Sequence, residues 1–278
     1  MKWTSQAEEA VSKIPFFIRK RVRKRVEEEA LRSGAQEVNL CHVQTCQKRF
    51  IDSMEQEVRG YRIETCFGSA GCPNQAVPGS GLVQSLEACL SARNLRDFLK
   101  NHVTGPLKMH HDFVVSVSDC PNACSRPQIV DIGLIGASRV KISDKPCSQC
   151  GACGNVCKEQ AVSLSPGMDA PLIDPNRCLS CGQCLKVCPA GTLQQADTGY
   201  RILIGGKLGR HPRLGTELPG IYSREEVLKI VNQCLDFYLL HNKEGERLGE
   251  TIKRAEDMDF FPRLIGEKQP AVLASGFR

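Results

Sequence analysis

The sequence predicts an α+β chain: a mixed or antiparallel sheet flanked by helices, a small helical N-terminal domain and an inserted cysteine-dense module. Three observations lead there. Apolar residues recur at helical spacing near both ends, at Ile18, Val22, Val26 and Ala30 and again at Val227, Val231, Cys234, Leu235 and Tyr238. Runs rich in β-branched residues at His111–Ser118, Ile129–Gly136, Arg139–Ser143 and Tyr200–Gly205 read as strands. Between the last two runs lie eight of the chain's 16 cysteines. An insertion bracketed by strands leaves and returns at neighbouring points, where loop tips tolerate added chain. The expected domains are therefore residues 1–45, residues 46–144 with 198–278, and an inserted module at 145–197.

The elements follow in order. Residues 1–34 read as two helices. Ser5-x-x-Glu8 has the form of a capping box for the first, Pro15 suits the first turn of the second, and Gly34 stops it. The second helix carries a basic run, Arg19 to Arg25, then Glu27 to Glu29. A solvated face and a docking surface for an acidic partner both fit that pattern. Residues 35–82 are mixed in character, and rich in Gly and Cys after Glu64. Leu82 to Val103 is mostly helical. After the strands, Ser223-x-x-Glu226 opens a long helix, and the polar tail to Arg278 holds another short helical stretch.

Composition narrows the functional classes. A hydrophobic fraction of 41% over 278 residues supports a sizeable core. No apolar run reaches the roughly 18 residues of a membrane span. The N-terminus shows no apolar signal core, so a cytoplasmic protein is expected. The net charge of +6 is dispersed rather than gathered on one face, which argues against nucleic acid and for a small anionic ligand. Sixteen cysteines in a reducing compartment point to metal rather than disulfides.

Cys147-x2-Cys150-x2-Cys153-x3-Cys157 is followed by Cys178-x2-Cys181-x2-Cys184-x3-Cys188-Pro189. This is the two-cluster ferredoxin pattern, given twice. A tight loop offers three thiolates to three corners of a cubane, and the fourth comes from the other run. One 4Fe-4S cluster is thus expected on Cys147, Cys150, Cys153 and Cys188, the other on Cys178, Cys181, Cys184 and Cys157. Gly151, Gly154 and Gly182 allow close approach of backbone N–H groups to the sulfides. Zinc in four-thiolate sites is the competing reading, but zinc motifs rarely double in this order. Lys158 stands where such a run usually has proline.

Cys66-x5-Cys72-Pro73 and Cys120-Pro121-x2-Cys124 form a further four-thiolate set in glycine-rich surroundings (Gly68, Gly71, Gly79, Gly81). With Val117-Ser118-Asp119-Cys120-Pro121-Asn122-Ala123-Cys124, Ile132-Gly133-Leu134-Ile135-Gly136 and Gly205-Gly206-Lys207-Leu208-Gly209-Arg210-His211-Pro212, this set resembles the sirohaem-dependent sulfite and nitrite reductases. The resemblance spans about residues 64–143 and 200–240. With the ferredoxin insertion, the chain is similar to dissimilatory-type and anaerobic sulfite reductase subunits. The resemblance implies a third 4Fe-4S cluster on Cys66, Cys72, Cys120 and Cys124, with Cys124 bridging to sirohaem iron. It implies cationic contacts to the sirohaem carboxylates, for which Lys207, Arg210 and Arg213 are the first candidates, then Arg126 and Arg139. Sulfite or nitrite would be held and protonated by Lys207, Arg210 and His211, with Lys108, His110 and His111 as further donors. Electrons would pass from an external low-potential donor protein through the ferredoxin clusters to the third cluster and the haem.

In that family a half-module supplying pocket arginines precedes the first cysteine pair. Here the helical segment uses most of the residues before Cys66, so that module is expected to be absent or reduced. A second subunit or a homo-oligomer would then complete the pocket, or the substrate would differ. Two other readings stay open: an iron–sulfur electron-transfer subunit without turnover, and a tetrapyrrole-binding protein without sulfite turnover. The latter is motivated by residues 3–40, where Ile14-Pro15-Phe16-Phe17-Ile18-Arg19-Lys20 resembles the small C-terminal domain of a light-independent protochlorophyllide reductase subunit. Of the remaining cysteines, Cys89 and Cys234 fall on apolar helix faces, and Cys41-His42-x3-Cys46 reads as a metal pair or as free thiols.

Overall fold

The computed structural model describes residues 1–265 apart from Pro166 and Met258. The end of the polar tail, from residue 266, lies outside the described residues. The chain forms two compact units, one of residues 1–59 with 103–110 and one of residues 60–102 with 111 onward.

The first unit contains β1 (Lys2–Trp3), α1 (Ser5–Ser12), α2 (Phe16–Arg32), β2 (Glu37–Val38) and α3 (Leu40–Glu57). Its core gathers Ala7 and Val11 from α1, Val26 and Ala30 from α2, Val38 and Val43. The caps differ from the sequence expectation by one position. Thr4, not Ser5, caps α1 and accepts the Ala7 N–H, and Pro15 sits at the cap of α2 rather than inside its first turn. Two acidic residues of α2 reach partners outside the helix. Glu29 takes a bidentate bond from Arg49 of α3 at 2.6 and 3.0 Å, and Glu27 accepts Trp3 Nε1–H at 2.9 Å.

The second unit runs β3 (Tyr61–Thr65), α4 (Ser80–Ser91), α5 (Leu95–His102), β4 (Phe113–Ser118), β5 (Ile132–Ile142), α6 (Ala152–Val156), β6 (Val162–Ser163), β7 (Leu172–Ile173), α7 (Gln183–Lys186), β8 (Leu193–Ile204), β9 (Thr216–Glu217), α8 (Arg224–His241), α9 (Leu248–Ala255) and α10 (Phe260–Ile265). Its sheet has the order β3-β4-β5-β8-β9. The first three strands are parallel and the last three antiparallel, so the sheet is mixed, as the fold class requires. Two expected runs, Ile129–Gly136 and Arg139–Ser143, form one strand, β5, with a register shift between Ser138 and Val140.

Parallel neighbours need a crossover. Helices α4 and α5 supply it between β3 and β4, whereas β4 reaches β5 through a loop carrying Cys120 and Cys124. The core lies on the α4 and α8 side. Leu82, Leu86 and Leu90 of α4 meet Val115 and Val117 of β4, Ile132 and Leu134 of β5, and Val227, Val231, Leu235 and Tyr238 of α8. Each such leucine, fully buried, contributes roughly 1.5–3 kcal/mol. The Ser223–Glu226 capping box opens α8 as the sequence indicates.

Candidate cluster-binding site

The two cysteine runs fold into matching loops. Gln149 and Ser180 take left-handed backbone at φ 54° and 56°, and Gly151 and Gly182 at 70° and 69°. Each glycine caps a short helix, α6 or α7. Left-handed residues alternating with right-handed ones turn successive N–H groups into one concavity, a cradle for an anionic cluster. Gly154, by contrast, is an ordinary helical residue of α6. The correspondence continues three residues beyond Cys157 and Cys188, where Gln160 and Gly191 are left-handed at 50° and 68°. Sulfurs accept main-chain N–H groups: Cys147 from Gln149 at 3.4 Å, Cys157 from Ala161 at 3.3 Å and Cys188 from Leu193 at 3.5 Å.

The thiols line two cavities, and the fourth cysteine of each run crosses to the other. One small cavity is lined by Cys147, Cys150, Cys153 and Cys188. A second, of about 220 Å³, is lined by Cys157, Cys178, Cys181 and Cys184. Among the described residues, no three His, Cys, Asp or Glu side chains converge as they would around a single ion. Burial, with Cys181 and Cys178 adding to it, pushes the Cys184 thiol up to about 11. Burial also raises Cys153, while the Ala152 N–H lowers Cys150 at the surface. Metal uptake here must displace protons from buried thiols. Soft sulfur donors, inward N–H groups and apolar walls fit an iron–sulfur cluster.

Four of the other eight cysteines, Cys66, Cys72, Cys120 and Cys124, gather at the C-terminal ends of parallel strands. Thr65 pairs with Val117 in register, so Cys66 after β3 and Cys120 in the loop after β4 are neighbours. Cys66 Sγ accepts N–H groups from Gly68 and Asp119, both at 3.3 Å. Burial raises the Cys120 thiol, and the nearby Cys124, Cys72 and Cys66 sulfurs push it the same way. Cys124 is exposed and receives Asn122 Nδ2 at 2.9 Å. The next residue, Ser125, pins this loop to β4. Its hydroxyl donates to the Val117 carbonyl at 2.9 Å and shares hydrogen bonds with the Ser116 and Ser118 hydroxyls at 2.9 and 2.7 Å.

Sequence reasoning missed Asp119. Its buried carboxylate accepts Gln75 Nε2–H at 2.7 Å, and its carbonyl accepts Ala76 N–H at 2.8 Å. It fills the space where Gly68 and Gly79 lack side chains, so it joins the Cys66–Cys72 segment to the Cys120 loop. Its place inside the quoted Cys120 motif was the available signal.

The inserted loops meet this third set directly. Ser138 N–H donates to Ser180 O at 2.6 Å, and Lys186 Nζ donates to Pro73 O and Gln75 O at 3.0 and 2.9 Å. The wall of the larger cavity includes Asn74, Cys120, Pro121 and Asn122.

Residues 61–269 match the family described as the nitrite and sulphite reductase 4Fe-4S domain. The chain belongs to that family. Residues 3–46 match the family of the proto-chlorophyllide reductase 57 kD subunit. Over 185 residues the chain is 32% identical to a coenzyme F420-dependent sulfite reductase of Methanocaldococcus jannaschii, a match covering 66% of this chain and 28% of that one. It is 27% identical over 235 residues to the alpha subunit of a dissimilatory-type sulfite reductase of Allochromatium vinosum, covering 75% and 56%. One of the subunits of the anaerobic sulfite reductase of Salmonella typhimurium is 27% identical over 126 residues, covering 45% and 32%. The chain thus spans between about a quarter and somewhat over half of the length of these relatives. Against a crystal structure of dissimilatory sulfite reductase I, the TM-score is 0.48 at 19% identity, covering 78% of this chain and 54% of that one.

In this member of the nitrite and sulphite reductase 4Fe-4S domain family, the other singled-out residues divide. Residues 205–215 form a hairpin closed by a bridge between Lys207 and Arg213. It docks on the segment after Cys124, where Gly215 N–H donates to Gln128 O at 2.7 Å and Gly205 N–H to Asp131 O at 2.8 Å. Arg210 and His211 stand exposed at its tip, and Arg213 donates to Gly205 O at 2.9 Å. Lys207 pairs with Glu250. Arg126 is exposed and takes a left-handed φ of 57° before the turn Pro127–Ile129. Arg139 pairs with Asp197 across the β5–β8 ribbon. Lys108 and His110 belong to the first compact unit, not to the unit that holds the three four-cysteine sets.

Cys41, His42 and Cys46 are not arranged as a metal site. The His42 ring accepts Asn39 N–H at 3.1 Å on one nitrogen and meets Ser33 Oγ at 3.1 Å on the other, closing the cap of α3. Cys89 bonds Asn232 at 3.3 Å, and Cys234 is wholly buried, which holds its thiol far above the ordinary range. Among the described residues no helix is long and apolar enough to cross a membrane.

Proposed function

We propose that the chain is a sirohaem- and 4Fe-4S-dependent reductase of sulfite or nitrite, fed by an external low-potential donor protein through its own ferredoxin module. The observation that carries this reading is the third cysteine set. It lies at the ends of two parallel strands, against the second ferredoxin loop on one side and near a basic hairpin on the other. Three 4Fe-4S clusters then take Cys147, Cys150, Cys153 and Cys188; Cys178, Cys181, Cys184 and Cys157; and Cys66, Cys72, Cys120 and Cys124. When bound, the clusters would supply single electrons and sirohaem would supply the metal centre at which the anion is reduced. Cys124, the exposed member of its set, would be the residue that links this cluster to the sirohaem. Arg126, Arg210 and Arg213 hold carboxylates of the tetrapyrrole as charge-assisted partners. Arg210 would hold the small anion through its fixed charge, and His211 would deliver protons to its departing oxygens. The pocket is completed by a second subunit.

A second reading has its own support. Lys207 and Arg139 are engaged by Glu250 and Asp197, which leaves fewer cations for a tetrapyrrole, as suits an electron-transfer subunit without turnover. Anaerobically purified protein decides between them. The reductase should carry about thirteen irons and about twelve labile sulfides per chain, with extractable sirohaem and viologen-linked sulfite or nitrite consumption. Cluster absorption without a tetrapyrrole, in fully reconstituted protein, would overturn the reductase reading.

A further inference from the structure

We propose that Lys186 is a positioning residue, a latch that holds the loop of the second thiolate set against the Cys66–Cys72 segment and so fixes the spacing between the second and third sets. The inference rests on reading those sets as cluster sites, and it concerns how the inserted module is kept in place.

The module hangs from the two-stranded β5–β8 ribbon, and the ribbon is interrupted by the register shift between Ser138 and Val140. Ribbons twist readily, and bulges sharpen the twist. Two stitches oppose that freedom. The first is Ser138 N–H on Ser180 O, beside the bulge itself. The second is Lys186, the last residue of α7, set between Cys184 and Cys188. Its ammonium bonds two main-chain carbonyls, Pro73 O and Gln75 O, on the turn that Gln75 N–H closes onto Cys72 O at 3.2 Å. Those carbonyls are anchored in turn. Gln75 donates to Asp119 Oδ2, and Asp119 N–H donates to Cys66 Sγ. The latch therefore runs from one thiolate loop to another through Lys186, Gln75, Asp119 and Cys66. Between its ends lies the cavity of about 220 Å³ whose wall holds both Cys181 and Cys120. A lysine suits the task, because a compact point charge on a flexible stem satisfies two carbonyls at once, whereas an apolar side chain satisfies neither.

The test compares wild type, Lys186→Met and Lys186→Arg as anaerobic full-length protein. Amide hydrogen exchange is read over residues 72–77 and 178–188, and magnetic coupling between reduced clusters by pulsed EPR. In Lys186→Met, exchange in the two segments should rise together by about tenfold, the loss of one charge-assisted contact. The coupling should weaken, and Lys186→Arg should restore both. Unchanged exchange and coupling in an iron-replete Lys186→Met protein would overturn the latch, as would an arginine variant that behaves like methionine. Should the methionine variant lose iron on purification, it is reconstituted with iron and sulfide before the exchange comparison, and equal rates in the two iron-replete proteins overturn the proposal. Failure to find a third cluster or turnover in wild type counts against the proposed function and leaves the exchange comparison to decide the latch.

Discussion

Replacing Asp131 with alanine should cost about 4 kcal/mol of stability, within the ~3–5 kcal/mol expected when a buried ion pair loses one partner. The carboxylate is 1% exposed. It accepts the Val114 N–H at 2.8 Å and the Leu248 N–H at 3.0 Å, and Arg247 adds Nε at 2.9 and 3.0 Å and Nη2 at 2.6 Å. Alanine strands two main-chain donors and a charged guanidinium at once, in a buried setting. The Asp131→Asn variant keeps one acceptor oxygen and should cost about half as much. Arg247→Met paired with Asp131→Leu removes the stranded guanidinium but still leaves the Val114 and Leu248 N–H groups without their acceptor, so it should recover only about half of the loss. The assay is urea unfolding of anaerobic, cluster-loaded protein followed by circular dichroism. With a urea slope of about 2–3 kcal/mol per molar, the alanine variant's midpoint should fall by about 1.5 M. A loss under about 1 kcal/mol for Asp131→Ala, or a paired variant worse than both singles, would refute the claim that this carboxylate ties the start of α9 to the sheet.

Three further outcomes are expected. Cys147→Ser and Cys188→Ser should abolish the same EPR signal although they lie in different runs, while Cys157→Ser should abolish the one lost in Cys178→Ser; pairing within each run instead would refute the crossed sets. Ser125→Ala should cost about 1 kcal/mol, since it removes the hydroxyl that bonds Val117 O and one partner from each of Ser116 and Ser118, and, if Cys124 is a cluster ligand as proposed, should lower the iron bound per chain. Burial, with Asp119 beside it, pushes the Tyr200 hydroxyl up to about 12. Its stabilising share is therefore full below the unfolded value near 10 and is lost as pH rises through about 12, so Tyr200→Phe, which also loses the bond to Pro78 O, should flatten the alkaline arm of the stability profile and leave its slope below about pH 9 unchanged.

What could be read from the sequence was what is local. The Ser223–Glu226 box and the α8 stripe need only neighbours within a few turns, and the buried residues of α8 follow that stripe. The cysteine spacings are local as well, and each run folds into the expected tight loop. Harder to see were α3, whose apolar positions are interrupted by Gln44, Gln47 and Lys48, and β3, where Arg62 and Glu64 mask a strand that pairs only with the distant β4. The one-residue displacement of the first cap reflects two adjacent hydroxyl residues, Thr4 and Ser5, either of which suits the position chemically. Nothing in a linear reading links Asp131 to Arg247 or Lys186 to Gln75, because those partners meet only after the sheet has formed. The basic candidates were chosen by type, and type does not reveal which cation already has an acid. Glu250 and Asp197 supply that answer for Lys207 and Arg139.

The β5–β8 ribbon has a consequence of another kind. Its last rungs pair Ile142 with Leu193 and bring Ser143 N–H to Thr192 O at 2.8 Å, so the chain departs for the cysteine loops and comes home across a single rung. Everything beyond that rung is a cassette. Excising it and closing the strands with a two-residue turn such as Asn-Gly would leave every pairing of the five-stranded sheet in register. The cysteine loops and the sheet that carries the Cys66 and Cys120 thiols are thus joined covalently at two strand ends one rung apart, and beyond that rung the Ser138–Ser180 and Lys186 contacts are the ties a graft onto another antiparallel ribbon would have to rebuild.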